Sequence, residues 1–278
     1  MKNRLIALLV FLLIILGLFS CKHNDKLKYV FRNSKNLVPI IIYHNFDRNA
    51  NKKDTSTFDI NKFERNLIYL KNNGYNTIFA KDLDKPLPEK PIVITMDDGY
   101  MSNYKLAFPL LKKYDMKATI FIIGWSVGAQ NTHYSLSFFN WNQAKEMVDS
   151  KLIDIESHSY DLHSEKGYSY GEGKICEKGV GKLLNETDED YIKRVKADYK
   201  KIYNLITEHL NYEPKVFAYP YGIYNKLAEK TIKEEGANIT FITGTEIADI
   251  SNGFYLLPRI TMESYTDLQT VISTSIFN

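Results

Sequence analysis

Short apolar runs separated by amphipathic stretches recur along most of this chain, and no other feature constrains the fold as much. Runs near residues 38–43, 77–79, 92–96, 118–123, 152–155, 216–219, 239–242 and 255–257 are strand-length and rich in Ile, Val, Phe and Tyr. Between them apolar residues repeat at spacings of three and four. Phe63, Leu67 and Leu70 form one stripe, Leu106, Leu110 and Leu111 another, and Tyr191, Val195, Tyr199, Ile202 and Ile206 a long one over residues 188–210. Asp188 after Thr187 is the expected start of that last helix. Repeated strand–helix alternation predicts a parallel sheet, open or closed. About eight strands in roughly 240 residues predict a distorted (β/α) barrel of seven to eight strands in a single α/β domain.

The N-terminus has a different character. Lys2 and Arg4 precede an apolar run over residues 5–19, which is short for a spanning helix and fits the h-region of a secretory signal. It ends in Leu18-Phe19-Ser20-Cys21, which resembles a bacterial lipobox and predicts lipidation of Cys21. The expected organisation is a lipoprotein signal peptide at 1–20, a polar tether at 21–37 and the domain at 38–278. The body is then extracytoplasmic and held to a bacterial membrane by lipid. Cys176 is left as a lone thiol in a Gly-rich stretch. After position 20, 34 basic residues face 33 acidic ones, so no basic surplus argues for a nucleic-acid partner. The stretch 164–187 lacks periodicity and reads as a loop over a site or a substrate-facing insertion.

Three polar clusters fall just after expected strands, where barrel enzymes assemble their sites. In Thr95-Met96-Asp97-Asp98-Gly99, two adjacent carboxylates on an extended chain point to opposite faces, so they are expected to have different jobs. In His158-Ser159-Tyr160-Asp161-Leu162-His163, the histidines are five apart and can converge only in a loop or turn. Imidazole with carboxylate suits a borderline divalent metal, with positions left open for water. The third cluster is Tyr43-His44-Asn45-Phe46.

Together these clusters resemble the polysaccharide deacetylases, carbohydrate esterase family four. Thr95 to Gly99 is similar to the family's Thr-Phe-Asp-Asp-Gly motif, with Met for Phe. His158 and His163 resemble its second motif, and Phe217-Ala218-Tyr219-Pro220-Tyr221-Gly222 its third. The histidines are five apart rather than four, no His follows His209, and an early Tyr-His follows Val-Pro-Ile-Ile-Ile. These departures, with Leu257-Pro258-Arg259-Ile260, resemble the circularly permuted branch that de-N-acetylates poly-β-1,6-N-acetylglucosamine. Ala218 stands where the ordinary third motif has the Arg that orients the catalytic Asp.

The resemblance implies one divalent metal, zinc first, with cobalt, nickel, iron or manganese also suited, held by Asp98, His158 and His163. Asp97 would be the general base, His44 the general acid and the Tyr221 N–H the oxyanion donor. Tyr219, Pro220, Tyr221, Trp125 and Arg259 are the candidate substrate-binding residues, with Trp141 and Tyr160 as further aromatic candidates. Arg259 has other readings: it could replace the guanidinium missing at Ala218, or form a structural ion pair. The expected partner is an acetylated polysaccharide met by a monomer. The competing readings are a deacetylase of peptidoglycan, chitin oligomers or xylan, and a non-catalytic carbohydrate-binding lipoprotein. A glycoside hydrolase would use the paired carboxylates but leaves the histidines unexplained.

Overall fold

In the computed structural model, residues 36–50, 56–130, 136–163 and 178–274 are described. The leader, Cys21, Cys176, most of the tether and most of the 164–187 stretch lie outside these residues. Contacts divide the chain into Met1–Leu37 and Val38–Asn278, and everything below concerns the second unit. Among the described residues no helix is long and apolar enough to cross a membrane.

Each expected apolar run contributes a strand: β1 (Ile40–Tyr43), β2 (Asn76–Ile78), β3 (Pro91–Asp98), β4 (Ala118–Ile122), β5 (Ile153–Ser157), β6 (Val216–Ala218), β7 (Ile239–Gly244) and β8 (Leu257–Thr261). All neighbours pair in parallel. β1 pairs with both β8 and β3, which closes a barrel of seven strands. β2 is the eighth: it pairs with Pro91 to Val93 at the start of β3, while β1 takes Val93 to Met96. The distorted (β/α) barrel expected from the alternation is the fold found. Its last strand begins at Leu257, where the apolar run had been expected to end.

Helices cover the barrel: α1 (Ile60–Asn72), α2 (Phe108–Tyr114), α3 (Trp141–Asp149), α4 (Asp188–Leu210), α5 (Lys226–Glu234) and α6 (Leu268–Thr274). Their starts are written in the sequence. Asp59, Asn140, Thr187 and Asn225 each accept a backbone N–H of the first turn, a cap that stabilises a helix by about 1 kcal/mol. Leu106, expected in a plain α-helix, lies instead in a π-helical turn, Asn103–Ala107, that leads into α2.

Strand alternation sorts the core into two layers. Ile92, Ile94 and Met96 of β3 and Ile153 and Ile155 of β5 face the helices with Phe63, Leu67, Met147 and Ile202. Val93, Phe121, Ala218, Phe241 and Leu257 form a second cluster within the barrel. Asp154 and Glu156 alternate with the outward isoleucines of β5 and are buried on the other side. Asp154 pairs with Lys81, and Glu156 Oε2 accepts the N–H groups of Lys215 and Val216 at 2.8 and 2.9 Å.

Burial, and then the neighbouring Asp154 charge, raise the Glu156 carboxyl well above its ordinary value. The folded state therefore keeps a proton that the unfolded chain releases above about pH 4.3. Stability from this group is complete below that pH and is lost as pH rises toward the folded value. Glu156→Gln copies the protonated form and keeps an oxygen for both N–H groups. Melting curves from pH 5 to 9 should fall less steeply for this variant than for the wild type. Parallel curves would mean that Glu156 is ionised throughout.

Candidate active site

The candidate residues gather where the strands end at their C-terminal rim. Asp97 follows the inward-facing Val93 and Thr95 on β3. There it meets Arg259 of β8, whose Nη1 and Nη2 donate to Oδ1 and Oδ2 at 2.8 and 2.7 Å. Nη1 also donates to Thr95 Oγ1 at 3.2 Å, and the guanidinium packs against the rings of Phe121 and Phe241. Arg259 is 0% exposed, so this pair is wholly desolvated.

Asp98 takes φ +73° and Gly99 φ +82°. The left-handed region costs a non-glycine residue about 1–2 kcal/mol, although Asp tolerates it better than most. Here it breaks the side-to-side alternation of the strand. Both adjacent carboxylates therefore reach one place, contrary to the expectation of opposite faces. His158 Nε2 stands 3.8 Å from Asp97 Oδ2 and 3.6 Å from Asp98 Oδ1. Their partners still differ: Arg259 takes Asp97, and the two histidines face Asp98.

His158 and His163 lie on the loop after β5, with ring centroids 5.2 Å apart. Ser159 at φ +71° turns the chain between them. His158 Nδ1 donates to the Ala218 carbonyl at 2.8 Å, which leaves a lone pair on Nε2. His163 Nε2 is 3.2 Å from Asp98 Oδ1, a buried oxygen left without a hydrogen bond. The donor atoms of Asp98, His158 and His163 all lie within 4.8 Å of one another. With bonds of 2.0–2.2 Å to a shared ion, donor atoms at tetrahedral angles stand about 3.3–3.5 Å apart. An orphaned carboxylate oxygen facing two imidazoles at 3.2 and 3.6 Å fits such an ion.

The charge states suit the same role. Burial alone would push Asp97 up, but the Arg259 guanidinium and the His158 and His44 imidazoles hold it below its ordinary value. Asp98 is likewise held far down against its burial, chiefly by His163. Burial pushes His158 down to about 4, so its imidazole is neutral at neutral pH. Asp98 raises His163 against the effect of burial.

His44 follows β1 directly; Tyr43 pairs with Met96, so His44 comes level with Asp97. Its carbonyl is held by Asn103 Nδ2 at 2.8 Å, and its imidazole acts on both carboxylates. Pro220 and Tyr221 form the turn after β6. Tyr221 takes φ +59° and sets its ring 4.5 Å from that of His163. Pro220 is buried and shapes the turn instead of facing solvent. Trp125 lies in the turn after β4, half-buried, with its indole N–H buried and unpaired.

Two further expected substrate contacts are corrected. Tyr219 is 0% exposed because it alternates outward with Phe217, and its hydroxyl donates to Glu229 Oε2 at 2.8 Å. Arg259 is equally inaccessible and belongs to Asp97. Trp141 opens α3 and stacks on His209 at 4.4 Å, while the Tyr160 ring lies under Lys201 Nζ at 3.6 Å. Asn103 and Asp198, which hold the His44 carbonyl and the histidine loop, were not singled out from sequence. The available signal was a polar side chain beside buried apolar neighbours.

Residues 84–240, more than half of the chain, match the polysaccharide deacetylase family. The chain belongs to that family. As a polysaccharide deacetylase it is a hydrolase that removes acetyl groups from a polysaccharide. The chain is 30% identical to YxkH of Bacillus subtilis, a protein named for the same family, over 86% of this chain and 76% of that protein. It is 25% identical to the poly-β-1,6-N-acetyl-D-glucosamine N-deacetylase of Escherichia coli K12 over 82% of this chain, but spans only 37% of that protein's length. In fold it is similar to the de-N-acetylase from Aggregatibacter actinomycetemcomitans, with TM-score 0.71 and 23% identity, over 85% of this chain and 98% of that one.

Proposed function

We propose that this deacetylase removes N-acetyl groups from poly-β-1,6-N-acetylglucosamine with one divalent metal held by Asp98, His158 and His163. The observation that carries the metal is the orphaned Asp98 Oδ1 facing two imidazole nitrogens. The polymer is supported by the name of the Escherichia coli relative and by a similar one in Staphylococcus aureus, 27% identical over 76% of this chain. The spacing of the histidines and the early Tyr-His agree with that branch.

A bound ion of this kind polarises the acetyl carbonyl and acidifies the attacking water. The protein's own residues do the rest. Asp97 takes the water proton on an oxygen lone pair that Arg259 leaves open, since each carboxylate oxygen has two. Arg259 fixes the plane of that carboxylate and keeps it ionised. The Tyr221 N–H, aimed by the left-handed turn after Pro220, donates to the developing oxyanion. His44 returns a proton to the departing sugar amine. Tyr221 and Trp125 wall the approach. By the same proposal, Cys21 carries a lipid that tethers the domain outside the cytoplasm, and zinc is the resident metal.

The test is free-amine release from β-1,6-linked N-acetylglucosamine oligomers by residues 22–278, with added zinc and with a chelator. Release that needs the metal is expected. No release with metal still bound would point to a different acetylated glycan. No release and no bound metal would overturn the ligand assignment.

A further inference from the structure

Two imidazoles five residues apart meet at one point only if the loop between them is held in a single shape. Its backbone groups show what holds it. On one side, the N–H groups of Gly124 and Trp125 donate to the Ser159 and Tyr160 carbonyls at 3.0 and 3.1 Å. On the other, Asp198 of α4 accepts the Tyr160 N–H on Oδ1 at 2.8 Å and the Asp161 N–H on Oδ2 at 2.7 Å. The N–H groups of Ser159 and Leu162 are taken by the hydroxyls of Ser157, at the end of β5, and of Ser159.

The buried stripe of α4 runs through Tyr191, Val195, Tyr199, Ile202 and Ile206, and Asp198, half-buried, flanks it one residue before Tyr199. A carboxylate facing that layer is costly unless it is hydrogen-bonded, and burial raises Asp198 to about 7. What it gains is two successive N–H groups midway between His158 and His163.

We propose that Asp198 is a positioning residue that sets the geometry of the His158–His163 pair and thereby the metal affinity of the site. The proposal rests on the metal reading above. Two variants separate positioning from stability. Asp198→Leu keeps a side chain of similar size but removes both acceptors. Asp198→Asn keeps the shape and one acceptor, but turns an N–H donor toward a backbone N–H.

Metal affinity is read by competition of zinc between the metal-free protein and a chromophoric chelator. Thermal unfolding of the metal-free protein is measured alongside. Loss of a group that orients metal ligands typically weakens affinity about 10–100-fold. The expected result is a loss in that range for Asp198→Leu and a smaller one for Asp198→Asn, with both metal-free variants still folded. Wild-type zinc affinity in both variants overturns the proposal alone. Lower melting temperatures with unchanged affinity overturn it too, since Asp198 would then serve only stability. A wild-type chain that binds no stoichiometric zinc overturns the metal reading and the proposal together.

Discussion

Asp97→Asn is expected to retain the metal and lose about 10²–10⁴-fold in turnover, the range for removing one general base. The side chain keeps its volume and one oxygen for Arg259, but its amide cannot accept the water proton. Asp98, His158 and His163 make their mutual contacts without Asp97, whose Oδ2 stands 3.8 Å from His158 Nε2. Asp98→Ala makes the contrast, because it removes the oxygen that both imidazoles face; metal and activity should vanish together. Amine release and the metal content of each purified variant decide the matter. If Asp97→Asn hydrolysed acetamide at the wild-type rate, another group would have to be the base. If it lost its metal, the two adjacent carboxylates would share one role instead of dividing two.

The barrel was legible because alternation of short apolar runs with three-and-four stripes has few folded solutions. Thr187 and the stripe from Tyr191 to Ile206 mark α4 to the residue, since a cap and a period agree there. The eighth run was harder. Tyr255 and Leu256 are apolar but precede the strand, Tyr255 being half-exposed and Leu256 at φ +56°, while the strand itself carries Pro258 and Arg259. A buried ion pair looks polar in sequence, and a strand that donates an Arg to one loses its apolar signature.

The same logic explains how the site residues were misread. Tyr219 stands beside a turn and an aromatic there suggests a sugar platform. Strand parity from Phe217 sends it outward into the layer with Tyr191 and Tyr199 instead. Asp97 and Asp98 were assigned opposite faces by parity, and there parity failed because Asp98 is left-handed. Ser159 and Tyr221 are left-handed as well. Backbone strain of this kind clusters at functional sites, and an extended-chain rule cannot foresee it. Asp198 escaped because it serves backbone groups 37 and 38 positions away, which no local pattern encodes.

Arg259→Met is the substitution expected to cost most in stability. Removing one partner of a buried pair strands the other charge, at about 3–5 kcal/mol, or roughly 6–20 °C in Tm for a domain of this size. Asp97 then lies among Phe121, Phe241 and Thr95 with no cation of its own. Burial, the largest influence on it, is left to push its carboxyl up, so turnover near neutral pH should fall with stability. The double variant Asp97→Asn with Arg259→Met separates the two effects. It removes the stranded charge, so thermal unfolding should recover much of the loss while activity stays absent. Arg259→Lys should fold better than Arg259→Met yet work poorly, because a single ammonium cannot grip both oxygens and the base plane is freed. The outcome also bears on Ala218, which occupies the place of the family's usual arginine. If Arg259→Met kept wild-type stability and rate, the guanidinium would not be the replacement, and the base would be oriented by the field of the histidines alone.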